Sequence, residues 1–302
     1  MINTNKSKEH SALYYASFII LQGLIFGIGN PIVKFAYESI TPIWCLTIRF
    51  TIASLIFAIF FGKQTARELK ENHSLHWLLT ALCTATAYIT CNVALNLTSA
   101  TSVGFLMSLP IVFTPPLSYI VLKRKIRKNF IPVPILAVIG LYLISMNTGT
   151  FHLGTGEILS LICSLAMAGA LVWGENSLNN FSPATVSFLQ MGVTAIAGFV
   201  CALFLEPIPV LSAVEPKAWY IILYLAIFSS CVCYILQNVA LAHISAAVVA
   251  LTQCSEPIFT AIFAFFLLNE RLSLFGIFGV ILLLICIVYG NYTENNNIEK
   301  SI

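Results

Sequence analysis

The same short sequence occurs twice in this chain. Asn92-Val93-Ala94-Leu95, Ser99 and Pro110 return as Asn238-Val239-Ala240-Leu241, Ser245 and Pro257, at an offset of 146 residues that becomes 147 at the proline. One residue has entered the second copy, and the frame otherwise holds. Both copies lie in long apolar runs, and a duplicated apolar unit is a common building plan for membrane carriers. Composition agrees: the 302 residues are 59% hydrophobic and 9% charged, with mean hydropathy +0.91, too little charge to clothe a water-soluble globule. Lipid is the expected solvent for most of the chain.

A hydrocarbon core ~30 Å thick takes about 20 residues of helix. Ten runs qualify, near residues 12–33, 43–61, 77–97, 100–122, 131–147, 156–176, 182–204, 218–242, 246–268 and 273–290. They are apolar without a period of two, so the expected fold is an all-α membrane bundle and not a barrel. The first run is too long for a cleaved signal and is expected to stay as a span. The connections at 98–100 and 243–245 are short enough to make spans 3 and 4, and 8 and 9, antiparallel hairpins.

With a cytoplasmic N-terminus, that side receives Lys6, Lys8, Lys63, Arg67, Lys70, Lys123, Arg124, Lys125, Arg127, Lys128 and Lys300, leaving Lys34, Lys217 and Arg271 outside. Positive charge inside therefore puts both termini in the cytoplasm. Each half holds five spans, an odd number, so the second copy enters from the opposite side. The expected units are two inverted five-helix repeats, 1–148 and 155–292, and a cytoplasmic tail, 293–302. Inverted halves pack about a pseudo-two-fold axis and leave a cavity near the midplane. Thr41-Pro42 before span 2 matches Ser182-Pro183 before span 7 at an offset of 141, which sets Arg49 opposite Gln190.

Taken together, Gly27, Lys34, Pro42, Arg49-Phe50, Asn92 to Pro110, Asn238 to Pro257 and Asn269-Glu270-Arg271 resemble the ten-helix, EamA-like branch of the drug/metabolite transporter superfamily, over essentially the whole chain. The resemblance implies two five-helix repeats in a bacterial inner membrane that move small metabolites such as amino acids, their derivatives or vitamins, often outward. These motifs specify the fold far better than the substrate. In one place the chain departs from the family: the glutamate usual after span 4 is Lys123 here, whereas the second copy keeps Glu270.

Glu256 is the sharpest candidate for a transport role. It lies about ten residues, ~15 Å, into span 9, where a charge costs ~2.5–3.5 kcal/mol even on the lenient insertion scale. It either recognises a substrate amine or a proton, or is a structural glutamate beside Pro257. Gln253 shares its helix face and is read as substrate contact or as a tie between helices. Arg49 is expected to snorkel to the interface; turned inward, it would offer a bidentate carboxylate site. Asn92 and Asn238, being duplicated, are expected to support helix packing as well as line the pathway. Gln190, Gln237, Trp173, Glu175 and Tyr234 complete the candidate lining. Trp44, Trp77 and Trp219 read as interface anchors. Pro110 and Pro257 are expected to break matching helices, and Pro115-Pro116 to break span 4 further. Gly23 and Gly27 read as close packing of span 1.

Other chemistries find little support. All twelve acidic residues are Glu, and no histidine lies deep in a span, so an intramembrane enzyme lacks a nucleophile with its base. The nine cysteines fall in apolar stretches and read as small core residues. No Walker-type loop is present, no cofactor or metal is expected, and the basic residues are not laid out as a nucleic-acid footprint. The expected function is secondary transport of an amino acid or derivative by alternating access, as export, with proton coupling through Glu256, in a monomer or homodimer. Uptake of a vitamin or other metabolite on the same fold is the alternative. A non-transporting receptor or regulatory partner is the reading from another class.

Overall fold

A computed structural model describes residues 11–98, 100–123, 131–145, 154–268 and 273–301. Ser99 of the first repeat copy, the loop charges Arg124, Lys125, Arg127 and Lys128, Lys6 and Lys8, and Asn269-Glu270-Arg271 lie outside the described residues. The first half contains α1 (Ala12–Ala36), α2 (Pro42–Glu71), α3 (His76–Leu97), α4 (Ala100–Met107), α5 (Pro110–Leu122) and α6 (Pro132–Ser145). The second contains α7 (Thr155–Ser177), α8 (Pro183–Leu205), α9 (Pro216–Tyr224), a π-helical stretch (Leu225–Val232), α10 (Cys233–Leu241), α11 (Ala246–Gln253), α12 (Ser255–Leu268) and α13 (Leu274–Ser301). No strand occurs among the described residues.

Proline sets several of these starts. α2, α5, α8 and α9 each carry it in the first turn, where its missing N–H has no partner to lose. This explains how the matched prolines act. Span 4 halts at Ser108-Leu109 and restarts with Pro110, and span 9 halts at Cys254 and restarts two residues before Pro257. Both copies are thus broken at one place, but Pro115-Pro116 do not break the span again: α5 runs through them to Leu122. Nine described helices are long and apolar enough to span a membrane. The fifth predicted span is α6, of which 14 residues, ~21 Å of helix, are described.

The packing is symmetric under exchange of the halves. The most extensive contact joins α3 to α7, and its counterpart joins the α9–α10 rod to α1; α1 lies on α12 as α7 lies on α5; α2 with α8, and α6 with α13, cross the pseudo-two-fold axis. The two halves are inverted repeats that interlock and do not stand side by side. Small residues let the backbones meet. A Cβ at Gly27 would fall 2.6 Å from Phe259 Cβ, and one at Gly279 would fall 2.4 Å from the Gly140 carbonyl oxygen. Burial follows the lipid: Ile59, Phe60, Phe204 and Phe266 are exposed, while Ser160, Ser187, Thr194 and Gln190 are fully enclosed.

Carboxylates close helix ends across the repeats. Glu206, just after α8, accepts the Ile43 and Trp44 N–H groups at the start of α2, at 3.0 Å each. Reciprocally, Glu68 near the end of α2 accepts the Ser182 N–H at the start of α8, at 2.9 Å. Each helix of the axial pair therefore caps the other. Burial pushes the Glu68 carboxyl up, but hydrogen bonds from the Ser182 backbone and from Gln64, Thr185 and Ser182 side chains outweigh it and hold the group below its usual range. A depressed carboxyl contributes stability that is complete above the ordinary glutamate pKa and is lost as pH falls through the native value. Glu68→Gln should therefore flatten the acid limb of detergent thermostability, and Glu206→Ala should cost about 1 kcal/mol, as loss of a cap does.

Trp44 is not an interface anchor. It is 8% exposed and packs edge-on to Phe199, ring centroids 5.8 Å apart, because the reciprocal cap draws the start of α2 into the bundle.

Candidate functional site

The axis passes between two tyrosines. Tyr88 on α3 and Tyr234 on α10 stand at the same offset of 146 as the repeated asparagines, and their ring centroids are 6.2 Å apart. Around this pair, equivalent positions make equivalent contacts with different chemistry. Gln190 on α8 donates from Nε2 to Thr84 Oγ1 on α3 at 2.9 Å. Its counterpart Arg49 donates from Nε to Ser230 Oγ at 2.8 Å, and Ser230 is the positional equivalent of Thr84.

Arg49 accordingly does not snorkel. Its guanidinium carbon lies 5.1 Å from the Phe50 ring centre and 5.5 Å from that of Tyr88, a cation–π geometry. Ser230 lies in the π-helical stretch of span 8, and widened turns of this kind recur at functional sites. Nη2 is buried with no protein acceptor. An inward cation with one satisfied and one unsatisfied donor edge suits a carboxylate.

The other candidates divide into two groups. Asn238 donates to Ser187 Oγ and Gln190 Oε1, each at 2.8 Å, and Asn92 accepts from Tyr37 OH while donating to the Tyr88 carbonyl at 2.7 Å. Asn92, Asn238 and Gln190 thus tie helices together beside the tyrosine pair. Gln253, by contrast, belongs to a convergent amide cluster: Gln237 Oε1 accepts from Gln22 Nε2 at 2.8 Å and from Gln253 Nε2 at 2.9 Å. Glu256 occupies the first turn of α12, directly after the break, where α1 crosses closely at Gly23. Gly23 directly follows Gln22, so Glu256 lies beside the amide cluster.

Trp173 is not brought there. It stacks on His76 at 5.5 Å near the ends of α7 and α3, and Tyr88 lies twelve residues, ~18 Å, farther along α3. Glu175 on the same helix accepts the Ala246 N–H at 2.9 Å, capping α11.

Residues 13–146 and 154–291 each match the model of the EamA-like transporter family. The chain belongs to the EamA-like transporter family. It is thus a multi-pass membrane transporter of small molecules, within the drug/metabolite transporter superfamily. An uncharacterized transporter of Archaeoglobus fulgidus is 26% identical over 276 residues, covering 91% of this chain and 85% of the relative. A riboflavin transporter, ImpX, of Fusobacterium nucleatum is 24% identical over 250 residues, covering 78% and 83%. A solved crystal structure superposes with a TM-score of 0.72 at 14% identity over 93% of this chain and 94% of its own, a likeness of fold.

In this EamA-like chain four residues of the central region escaped the sequence reading: Tyr88, Ser230, Gln22 and Thr84. Tyr88 was within reach, since it repeats as Tyr234 in the register of Asn92 and Asn238. Ser230 was not, because it gains meaning only as the partner of an inward Arg49. Gln22 lies in a span whose two copies share no evident motif, and Thr84 gains meaning only as the partner of Gln190.

Proposed function

We propose that the chain exports a small zwitterionic metabolite, an amino acid or a derivative, by alternating access about the Tyr88–Tyr234 axis. The observation that carries this reading is Arg49, turned inward with Nη2 buried and unpartnered by protein. It receives the substrate carboxylate. Glu256 receives the amine or a coupling proton, and the amides of Gln253 and Gln237 fix orientation between the two. Both halves contribute, Arg49 and Tyr88 from the first and Tyr234, Gln253 and Glu256 from the second. Movement of the interlocked helices about the axis therefore remakes the site at each step.

In this reading the units are 1–148 and 155–292, both termini face the cytoplasm, and one chain supplies every group the site uses. Flux of labelled amino acids into proteoliposomes tests it, with and without an imposed pH gradient. Glu256→Gln should keep substrate exchange and lose the response to the gradient. An unchanged response would remove Glu256 as the coupling group.

Uptake of a heterocyclic vitamin is the second reading, favoured by the relative named as a riboflavin transporter and by the three amides, which match the donor and acceptor edges of a planar ring. Riboflavin competing with labelled amino acid flux, or itself transported, would select it.

A further inference from the structure

The amide cluster has a counterpart across the axis. α1 and α7 end at Ala36 and Ser177, the same distance before the matched Pro42 and Pro183, so Gln22 corresponds to Cys163. The Asn-Val-Ala-Leu register pairs Gln237 with Cys91. α4 and α11 are each eight residues long and end at Met107 and Gln253. The counterparts also meet as the amides do. Cys91 Sγ lies 3.2 Å from Met107 Sδ, and Cys163 packs into the same buried cluster as both. Met167, one turn beyond Cys163 on α7, packs against the same cluster. Where three amides converge on one side of the axis, from α1, α10 and α11, three sulfurs gather on the other, from α7, α3 and α4.

We propose that Cys91, Cys163 and Met107 form a binding site for a soft monovalent metal ion of the Cu(I) or Ag(I) class. Two thiols and a thioether select such ions over hard cations, which want oxygen ligands. Among the described residues no group of three His, Cys, Asp or Glu side chains offers a competing site. Metal–sulfur bonds of ~2.3 Å in a trigonal set put the sulfurs about 4 Å apart, so the ion asks Met107 to draw back from Cys91 by under ~1 Å. Met107 is free to do so, being half-buried at the end of the broken span, whereas Cys163 is fully enclosed and Cys91 nearly so. Binding releases thiol protons. The site does not depend on which metabolite the amide side takes.

The test uses the purified full chain in detergent, kept anaerobic with ascorbate and titrated with Cu(I) against bathocuproine disulfonate. One equivalent per chain should resist the chelator, with an X-ray absorption spectrum showing only sulfur in the first shell. Cys91→Ser and Cys163→Ser should lose that equivalent. Met107→Leu, which preserves volume, should weaken it measurably, and Cys254→Ser should keep it. Should either serine variant fail to elute as a single species, the contrast between Met107→Leu and Cys254→Ser decides. Absence of a chelator-resistant equivalent in the unaltered chain, its equal loss in Cys254→Ser, or its indifference to Met107→Leu would overturn the proposal and leave the sulfurs as packing.

Discussion

Arg49→Met is expected to weaken carboxylate substrates by roughly 10- to 100-fold in KM for proteoliposome flux. A hydrogen bond to a charged group is worth about 1.5–3 kcal/mol, and each 1.4 kcal/mol is tenfold. Methionine keeps an unbranched stem against Phe50 and Tyr88, so the helix pair stays packed and the lost term is recognition. Arg49→Lys should recover little of the loss. An ammonium cannot hold Ser230 with one edge and a carboxylate with the other, as the planar guanidinium does. Substrates lacking a carboxylate should be indifferent to both changes. A KM that moves by less than about twofold for every amino acid tested would remove Arg49 from the site and return the residue to a structural tie between α2 and span 8.

Gly279→Ala should be the most damaging added methyl among the glycines whose surroundings are described. Its Cβ would stand 2.4 Å from the Gly140 carbonyl oxygen and 3.0 Å from the Ile144 nitrogen, both backbone atoms that no rotamer change can move aside. α6 and α13 must then separate, undoing the cluster of Leu141, Leu283 and Cys286 that they share. Overpacking of this kind costs about 1–3 kcal/mol and occasionally more. Detergent thermostability should fall accordingly. Gly62→Ala is the control, because its added Cβ meets nothing within 4 Å. Equal melting of the two variants would show that the crossing has more room than its backbone distances allow.

The fold was largely legible in the sequence for a physical reason. Lipid demands long apolar helices, and a repeat with an odd number of spans has only one way to lie in a bilayer, so Asn92 and Asn238 carried the architecture by themselves. Contacts between helices were less legible. Arg49 is about six residues into span 2, near enough to the interface for a snorkel on sequence grounds, and only the acceptor Ser230 explains its inward course. The π-helical stretch that contains Ser230 has no signature in Leu225 to Val232. Trp173 was misplaced for a related reason: depth along a helix can be counted, but azimuth within a bundle requires its neighbours. Pro115-Pro116 show the reverse error, a local rule that the continuous α5 overrides.

The interlocked packing has a bearing on biogenesis. In the finished molecule the main partners of α1 all come from the second half, and Glu206, which closes the start of α2, is made more than 160 residues after Ile43. A nascent first repeat would therefore wait in the bilayer with its longest faces and a helix end unmatched. Folding of this chain is in effect a dimerisation whose second subunit arrives through the same tunnel. A ribosome stalled midway would leave in the membrane not a half-built transporter but an orphan for membrane proteases to clear.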